Sequence, residues 1–438
     1  MNASPHTAGA AQQTGESIGR RQFAGRRAVA VLFSTYPSDP RPRRAAEALV
    51  KEGFDVEVIC LKPEPGEPGN DSVNGVRITR IPLKSRRGGK IIYIAQYACF
   101  TLIAFAILAF RSLQRRYDLV HVHNMPDFLV FSALVPRLLG ARVILDLHDP
   151  MPELMMTIFG LDRESLAVRV LKTVEKLSLA FADAVVTVNE ACKNIFSSRS
   201  CAPAKVTVVM NSPDPDIFRY RPAGPAPVIK QDHLRPFVIM YHGSLVERHG
   251  LDIAVAALAK VRQTIPHVGL VIYGQNTPFL LQVMASVEQS PVRDAVRYLG
   301  RKNLEEIVDG IRNSDVGIIP NRRSIFTELN TPTRIFEYLS QGKPVIAPRT
   351  PGILDYFQEK DLILFELGNA NDLASKIEYV FSHPQEVRKV LERGQAVYRA
   401  HDWNTERVRF LRLVDGLLPA SHVIERRGRR AVAIGSNE

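Results

Sequence analysis

Residues 330–345, NTPTRIFEYLSQGKPV, place an arginine and a glutamate three positions apart near the start of a predicted helix. At that spacing Arg334 and Glu337 share one helix face. Thr331 is a residue type that caps helices, and Pro332 suits a first turn, where its missing N–H is not needed. The open N–H groups around Thr333 then make an anion site. A cation beside such a terminus suits a phosphate. A carboxylate one turn further on can accept hydrogen bonds from ribose hydroxyls. Gly342 stops the helix, and Lys343-Pro344 leads into the apolar strand Val345-Ile346-Ala347. The same residues also read as an ordinary capped surface helix, so the chemistry needs partners elsewhere in the chain.

Three further segments supply them. Tyr241-His242-Gly243-Ser244-Leu245-Val246-Glu247-Arg248-His249-Gly250 follows a predicted strand and precedes a predicted helix. Its glycines permit a tight path, and Arg248 and His249 place positive charge near a helix N-terminus, a cradle for a diphosphate. Val271-Ile272-Tyr273-Gly274 ends a strand on a glycine. Tyr298-Leu299-Gly300-Arg301-Lys302 is a strand-end loop able to hold a base with backbone groups. Each segment alone is compatible with a plain strand-to-helix turn; their order and spacing carry the chemical reading.

The elements that position these loops follow from periodicity. From residue 28, short apolar runs alternate with helical patterns: strands at 29–33, 56–60, 119–123, 143–147, 184–188 and 206–209, with helices at 43–52 and 127–139. A Pro-rich linker follows, and the pattern restarts with strands at 237–241, 269–273, 296–299, 316–319 and 345–347, and an edge strand at 362–365. Helices are expected near 251–263, 279–288, 304–312 and 332–341. Continuous apolar strands joined by helices mean parallel sheets covered on both faces. The fold class is therefore α/β, two successive doubly wound domains facing a central cleft, with ligands beyond the C-terminal strand ends. The expected division is a disordered tail at 1–27, an N-terminal domain at 28–215, a linker at 216–235, a second domain at 236–400, a helix packing back at 401–418 and a tail at 419–438.

The chain has 438 residues and a formal charge of +12, which favours anionic partners such as nucleotide phosphates or an anionic membrane surface. The charge is scattered and lacks the interleaved aromatic residues of a stacking platform, so no nucleic acid is expected. Cys60, Cys99, Cys192 and Cys201 show no CxxC spacing, which suggests neither zinc nor disulfides and points to a reducing cytosol. Asp214-Pro215-Asp216 has the look of a metal-binding DxD but falls in the linker, so no metal is expected. Residues 1–25 hold no apolar core of a secretory signal. Residues 91–110, IIYIAQYACFTLIAFAILAF, are long and apolar enough to span a bilayer. Predicted strands of one sheet lie on both sides of this segment, so it is expected to dock into the interface, with Lys84, Arg86, Arg87, Lys90, Arg111, Arg115 and Arg116 meeting anionic lipid. A wholly buried helix and a span are the other readings.

In their order, HGSLVERHGLD, VIYG, LGRKNLEEI, DVGIIP and PTRIFEYLSQGKPVIA resemble the donor half of the family 4 glycosyltransferases of GT-B fold. YPSDPRPRRAAEALVKEGFDVEVICL, DLVHVHNMPD, VILDLHDPMPEL and VVMNSPDPDIF resemble their N-terminal half. The resemblance covers about residues 28–415 and is strongest to the membrane-associated branch that builds bacterial surface polysaccharides and exopolysaccharides.

The resemblance implies a retaining sugar transfer from a nucleotide-diphosphate donor, UDP- or GDP-linked, to a saccharide or polyprenyl-linked acceptor. It implies no separate cofactor, and a cytoplasmic enzyme peripherally attached to the inner face of the cell membrane. The phosphates would meet Gly243, Ser244, Arg248 and Arg334, with the backbone of Thr331, Pro332 and Thr333. Glu337 would hold the ribose. Gly274, Gly300, Arg301 and Lys302 would border the base. His123 would lie beside the transferred sugar, and His148, Asp149 and Glu153 would face the acceptor. His121 is expected to face the core while His123 faces the cleft.

There are departures from the family pattern. Asp39-Pro40-Arg41-Pro42 stands where many relatives have Gly-Gly, so Arg41 or Arg43 is expected to contact the phosphate. Ser244 and His249 replace basic residues, with Arg248 expected to supply the charge. Leu329 stands where many relatives have a glutamate eight positions before Glu337. A GT-B nucleotide-sugar 2-epimerase and a non-catalytic polyanion-binding protein are the rival functions.

Overall fold

The computed structural model describes residues 22–64, 66–83, 90–225 and 236–419. Of the tails expected at 1–27 and 419–438, residues 1–21 and 420–438 lie outside the described residues, as do the linker stretch 226–235 and the side chains of Lys84, Arg86, Arg87 and Lys90. Alternating apolar runs and helices build two parallel sheets. The first contains β1 (Arg27–Leu32), β2 (Asp55–Leu61), β3 (Asn70–Val73), β4 (Val76–Ile81), β5 (Leu119–His123), β6 (Arg142–Leu147), β7 (Ala184–Thr187) and β8 (Val206–Val208). Their order is β3-β4-β2-β1-β5-β6-β7-β8, parallel except for the β3–β4 hairpin. That hairpin was not foreseen: β3 is short, polar and exposed, with no apolar pattern to mark it.

The second sheet contains β9 (Phe237–His242), β10 (Val268–Tyr273), β11 (Val296–Tyr298), β12 (Val316–Ile318), β13 (Val345–Arg349) and β14 (Ile363–Glu366), in the order β11-β10-β9-β12-β13-β14. Each sheet separates two apolar layers. Val29 and Val31 join one cluster while Ala28 and Ala30, on the opposite face of the same strand, join another. This alternation buries both faces, as a doubly wound sheet requires.

Strand order reverses between β1 and β5 in the first sheet and between β9 and β12 in the second, and ligand crevices form at such switch points. The chain returns to the first domain through the helix Trp403–Leu417, which buries Phe410, Leu411 and Val414 against the sheet. At that crossing the buried Glu406 accepts a hydrogen bond from the Met210 N–H at 2.9 Å.

The apolar segment forms the helix Lys90–Gln114. Phe100, Ala104 and Leu108 are fully buried against the first sheet's outer layer, a stripe at helical spacing. Leu102, Phe110 and Leu113 on other faces are 68%, 64% and 72% exposed. The wholly buried reading therefore fails.

Candidate active site

The donor-side loops meet at the C-terminal ends of β9 and β10. Gly243 turns out of β9 at φ 122 and donates its N–H to the Tyr273 carbonyl at 3.0 Å, and Gly274 donates to the Gly300 carbonyl at 2.9 Å. A Cβ on Gly274 would lie 2.3 Å from the Gly243 carbonyl oxygen, so this loop junction admits only glycine. The predicted loops at 243, 274 and 300 are thus one assembly.

Arg334 is laid across that assembly. Its guanidinium donates to the His242 carbonyl at 2.8 Å and sits 4.8 Å over the Tyr241 ring. Its side chain runs beside Gly243, where any Cβ would come within 3.4 Å of it. The helix it belongs to is Thr333–Ser340, one residue later than predicted, with Pro332 in the extended cap position. Thr331 does not cap it. Its hydroxyl instead donates to the Gly352 carbonyl at 2.5 Å. The first turn carries no side-chain cap; the Ile335 N–H donates to the Pro332 carbonyl at 3.0 Å, which leaves the Thr333 and Arg334 N–H groups for an anion.

Glu337 faces His242 across 3.3 Å. Burial pushes the Glu337 carboxyl up to about 7, opposed by Arg334 and then Arg44. Burial, reinforced by Arg334, pushes His242 down to about 3, so this imidazole is neutral. His249, expected to be a cation, is neutral as well: burial and then Arg334 push it down to about 3. Its Nδ1 donates to the Ser244 carbonyl at 2.8 Å, making it a brace for the loop. Arg248 remains charged beside it, with Nε unpartnered among the described residues and Asp149 the leading acid acting on it. Ser244 is exposed. Of the base-side residues, Arg301 is exposed, while Lys302 pairs at 2.8 Å with Glu306 in the first turn of the helix that follows it.

On the acceptor side, register places His123 beside Asp146 on neighbouring strands. Asp146 is the hub. Arg41 donates to both its carboxylate oxygens at 2.8–3.1 Å, with a further bond to the Val209 carbonyl. His121, His123 and His148 lie 3.4, 3.5 and 3.7 Å from the same carboxylate. Burial alone would raise Asp146, yet Arg41 and then His148 hold it well below the usual carboxylate range. Burial, then His121, holds His123 well below the usual imidazole range.

Three expectations change here. Residues two apart on a strand share a face, so His121 and His123 do not divide between core and cleft; their ring centroids lie 4.1 Å apart, tilted at 40°, and both are buried. His148, hydrogen-bonded to His123 at 3.1 Å and 22% exposed, is the more open member. Arg41 is engaged by Asp146 and the Val209 carbonyl, and Arg43 is paired with Asp214, so neither guanidinium stands as a bare cation for a phosphate. Glu153 is likewise withdrawn: Arg199 binds it at 2.6 and 2.9 Å and also grips the fully buried Glu175. Asp149 keeps its place near the cleft, with burial raising it to about 6 against the opposing Arg248.

His121, His123 and Asp146 hold their ligand atoms within 4.8 Å of one another, a spacing open to a metal ion. Arg41 already occupies both Asp146 oxygens, so the donor set favours a guanidinium over a metal. Sequence reasoning missed Asp146 as the hub. The only available signal was an acid inside an otherwise apolar strand, Val143-Ile144-Leu145-Asp146-Leu147.

Two Rossmann-like domains with strand-end loops converging on one cleft define the GT-B class of glycosyltransferases. Residues 39–212 match the glycosyl transferase 4-like domain model and residues 236–383 match the glycosyl transferases group 1 model. The chain belongs to the family 4 glycosyltransferases. It is 29% identical over 161 residues to the phosphatidyl-myo-inositol mannosyltransferase of Propionibacterium freudenreichii, a match taking in 36% of this chain and 37% of that relative. The chain thus spans little more than a third of that curated relative's length. Among solved structures, sucrose-phosphate synthase from Thermosynechococcus elongatus superposes with TM-score 0.71 at 18% identity, covering 90% of this chain and 99% of that one. HepE of Anabaena, in complex with UDP and glucose, superposes with TM-score 0.63 at 15% identity, covering 89% and 99%. At these identities the structural likenesses establish the fold.

Proposed function

We propose that this chain transfers a sugar, with retention of configuration, from a nucleotide-diphosphate donor to a saccharide or polyprenyl-linked acceptor in cell-surface polysaccharide synthesis. The carrying observation is the convergence on the Gly243 loop of Arg334, an uncapped helix N-terminus and the Glu337–His242 pair. Arg334 and Arg248 would take the developing charge of the leaving diphosphate, and Glu337 would receive the ribose hydroxyls. Preorganised charge of this kind is often the largest catalytic contribution. The C1–phosphate bond breaks as the acceptor oxygen attacks from the same face, and the acceptor proton passes to the departing phosphate oxygen. Fixed cations make a metal unnecessary in this scheme. The UDP bound by the similarly folded HepE supports a nucleotide donor.

The acceptor side would open toward a membrane. Leu102, Phe110 and Leu113 of the helix Lys90–Gln114 stand out to solvent together with Leu134 and Leu138 of the adjoining helix Leu134–Leu138. Exposed apolar groups on this scale mark interaction sites, and a docked buried stripe with an apolar outer face suits a helix lying in the interface. Arg115 and Arg116 are exposed at its end. Arg111 is not available to lipid, because it pairs with Glu57. We place the protein at the cytoplasmic face of the cell membrane, facing anionic lipid.

Incubation with UDP- and GDP-sugars, with and without lipid-linked acceptors, tests the function. A glycosylated acceptor appearing only when both substrates are present is the expected result. Epimerised sugar formed from donor alone would instead favour the 2-epimerase. Polyanion displacing nucleotide without any product would favour a binding protein.

A further inference from the structure

One side chain of the first domain reaches into the donor loop of the second. Asn189 caps the helix Glu190–Arg199, its Oδ1 accepting the Cys192 N–H at 2.8 Å. That bond fixes the amide's orientation, and Nδ2 is thereby directed across the cleft. It donates to the Leu329 carbonyl at 2.8 Å and to the Thr331 hydroxyl at 3.1 Å. Asn189 is fully buried.

The segment it holds leads directly into the helix carrying Arg334 and Glu337. The far side of that segment is fixed as well. Thr331 donates to the Gly352 carbonyl, and a Cβ on Gly352 would lie 2.3 Å from the Leu329 oxygen. The donor loop is therefore held between its own domain and the Asn189 amide of the other. The helix that follows has no side-chain cap of its own to fix its first turn.

We propose that Asn189 is a positioning residue for the nucleotide-diphosphate site, acting through Leu329 and Thr331 to set where the Thr333–Ser340 helix begins. This inference rests on the reading of that helix as the diphosphate clamp. Small misplacements of a preorganised site are expensive, so loss of the amide weakens nucleotide binding without touching the nucleotide. The neighbouring interdomain bond supplies a control. The Glu190 N–H donates to the Tyr356 hydroxyl at 3.0 Å and bypasses the loop.

The test is calorimetric titration of UDP and GDP into the full chain and three variants. Asn189→Ser keeps a good cap but is too short to reach Leu329. It should weaken the nucleotide that binds by about ten- to thirtyfold, the scale of two neutral hydrogen bonds, with Tm nearly unchanged. Asn189→Asp also keeps the cap but sets a carboxylate against the Leu329 carbonyl, and should bind more weakly still. Tyr356→Phe should bind within about twofold of the unsubstituted chain. A merely structural Asn189 would lower Tm and leave affinity alone, which overturns the proposal. So does a loss in Tyr356→Phe equal to that in Asn189→Ser, which would mean general domain docking. If the unsubstituted chain binds neither nucleotide, the functional reading fails first and this inference falls with it.

Discussion

The Glu337 carboxyl provides a sharp quantitative test. Burial raises it to about 7, while the ribose-binding role requires the ionised form, because only a carboxylate accepts from two hydroxyls without offering a competing proton. With a midpoint at about 7, the ionised fraction is about a tenth at pH 6 and about nine-tenths at pH 8. Nucleoside diphosphate affinity should therefore rise about tenfold over that interval. The ligand's terminal phosphate also titrates near pH 6. Glu337→Gln separates the two effects: it keeps the ligand's own pH dependence and removes the protein's. Titration calorimetry of both proteins at pH 6, 7 and 8, in buffers of different ionisation enthalpy, reads the affinity and the proton released. The folded state holds the Glu337 proton more tightly than the unfolded state, where the carboxyl titrates near 4.5. This group's contribution to stability is thus present below about 4.5 and lost as pH rises through about 7, by about 3 kcal/mol at most. Nucleotide-free Glu337→Gln should accordingly gain in Tm relative to the unsubstituted chain at pH 8 but not at pH 4.5. Identical pH profiles for nucleotide binding in the two proteins would mean that the Glu337 carboxylate does not hold the ribose.

Other outcomes follow from the same geometry. Arg41→Met leaves Asp146 buried without its guanidinium and should destabilise the chain by about 3–5 kcal/mol, seen in chemical denaturation; a near-neutral change would show that Arg41 is not the hub's counter-charge. Gly274→Ala must displace the Gly243 carbonyl and should abolish nucleotide binding, with the helical signal in circular dichroism retained. Combined Leu102→Glu, Phe110→Glu and Leu113→Glu should release the protein from anionic vesicles in a sedimentation assay while nucleotide affinity holds. Persistent vesicle binding would place the docking face elsewhere.

The two sheets were legible because their strands are uninterrupted apolar runs between helical patterns, and such runs fit only a sheet covered on both faces. The polar β3 and the short helices Ile325–Leu329 and Pro351–Leu354 were not, since a few residues carry too little periodicity to register. At the site, Gly243 and Gly274 were legible as tight strand-end turns, and Arg334 as a cation in the first turn of a helix. Arg41 and Glu153 were misread. The resemblance set Arg41 toward the phosphate and Glu153 toward the acceptor, yet each is neutralised by a residue more than forty positions away, Asp146 and Arg199, and such pairings are invisible to local pattern. His249 was misread for a related reason: burial and Arg334, not sequence, decide its protonation. Asn189 gave no signal in the sequence, because its bonds to Leu329 and Thr331 depend on the other domain.

The loop at Gly243 and the helix carrying Arg334 are proposed to form a nucleotide-diphosphate clamp. Its most direct measurement is titration of UDP and GDP, in buffer containing a chelator, into the full chain and into Arg334→Ala. One nucleotide should bind saturably at one site per chain, and Arg334→Ala should lose about a hundredfold or more in affinity or turnover. Binding of neither nucleotide, or undiminished binding by a folded Arg334→Ala, would contradict the account.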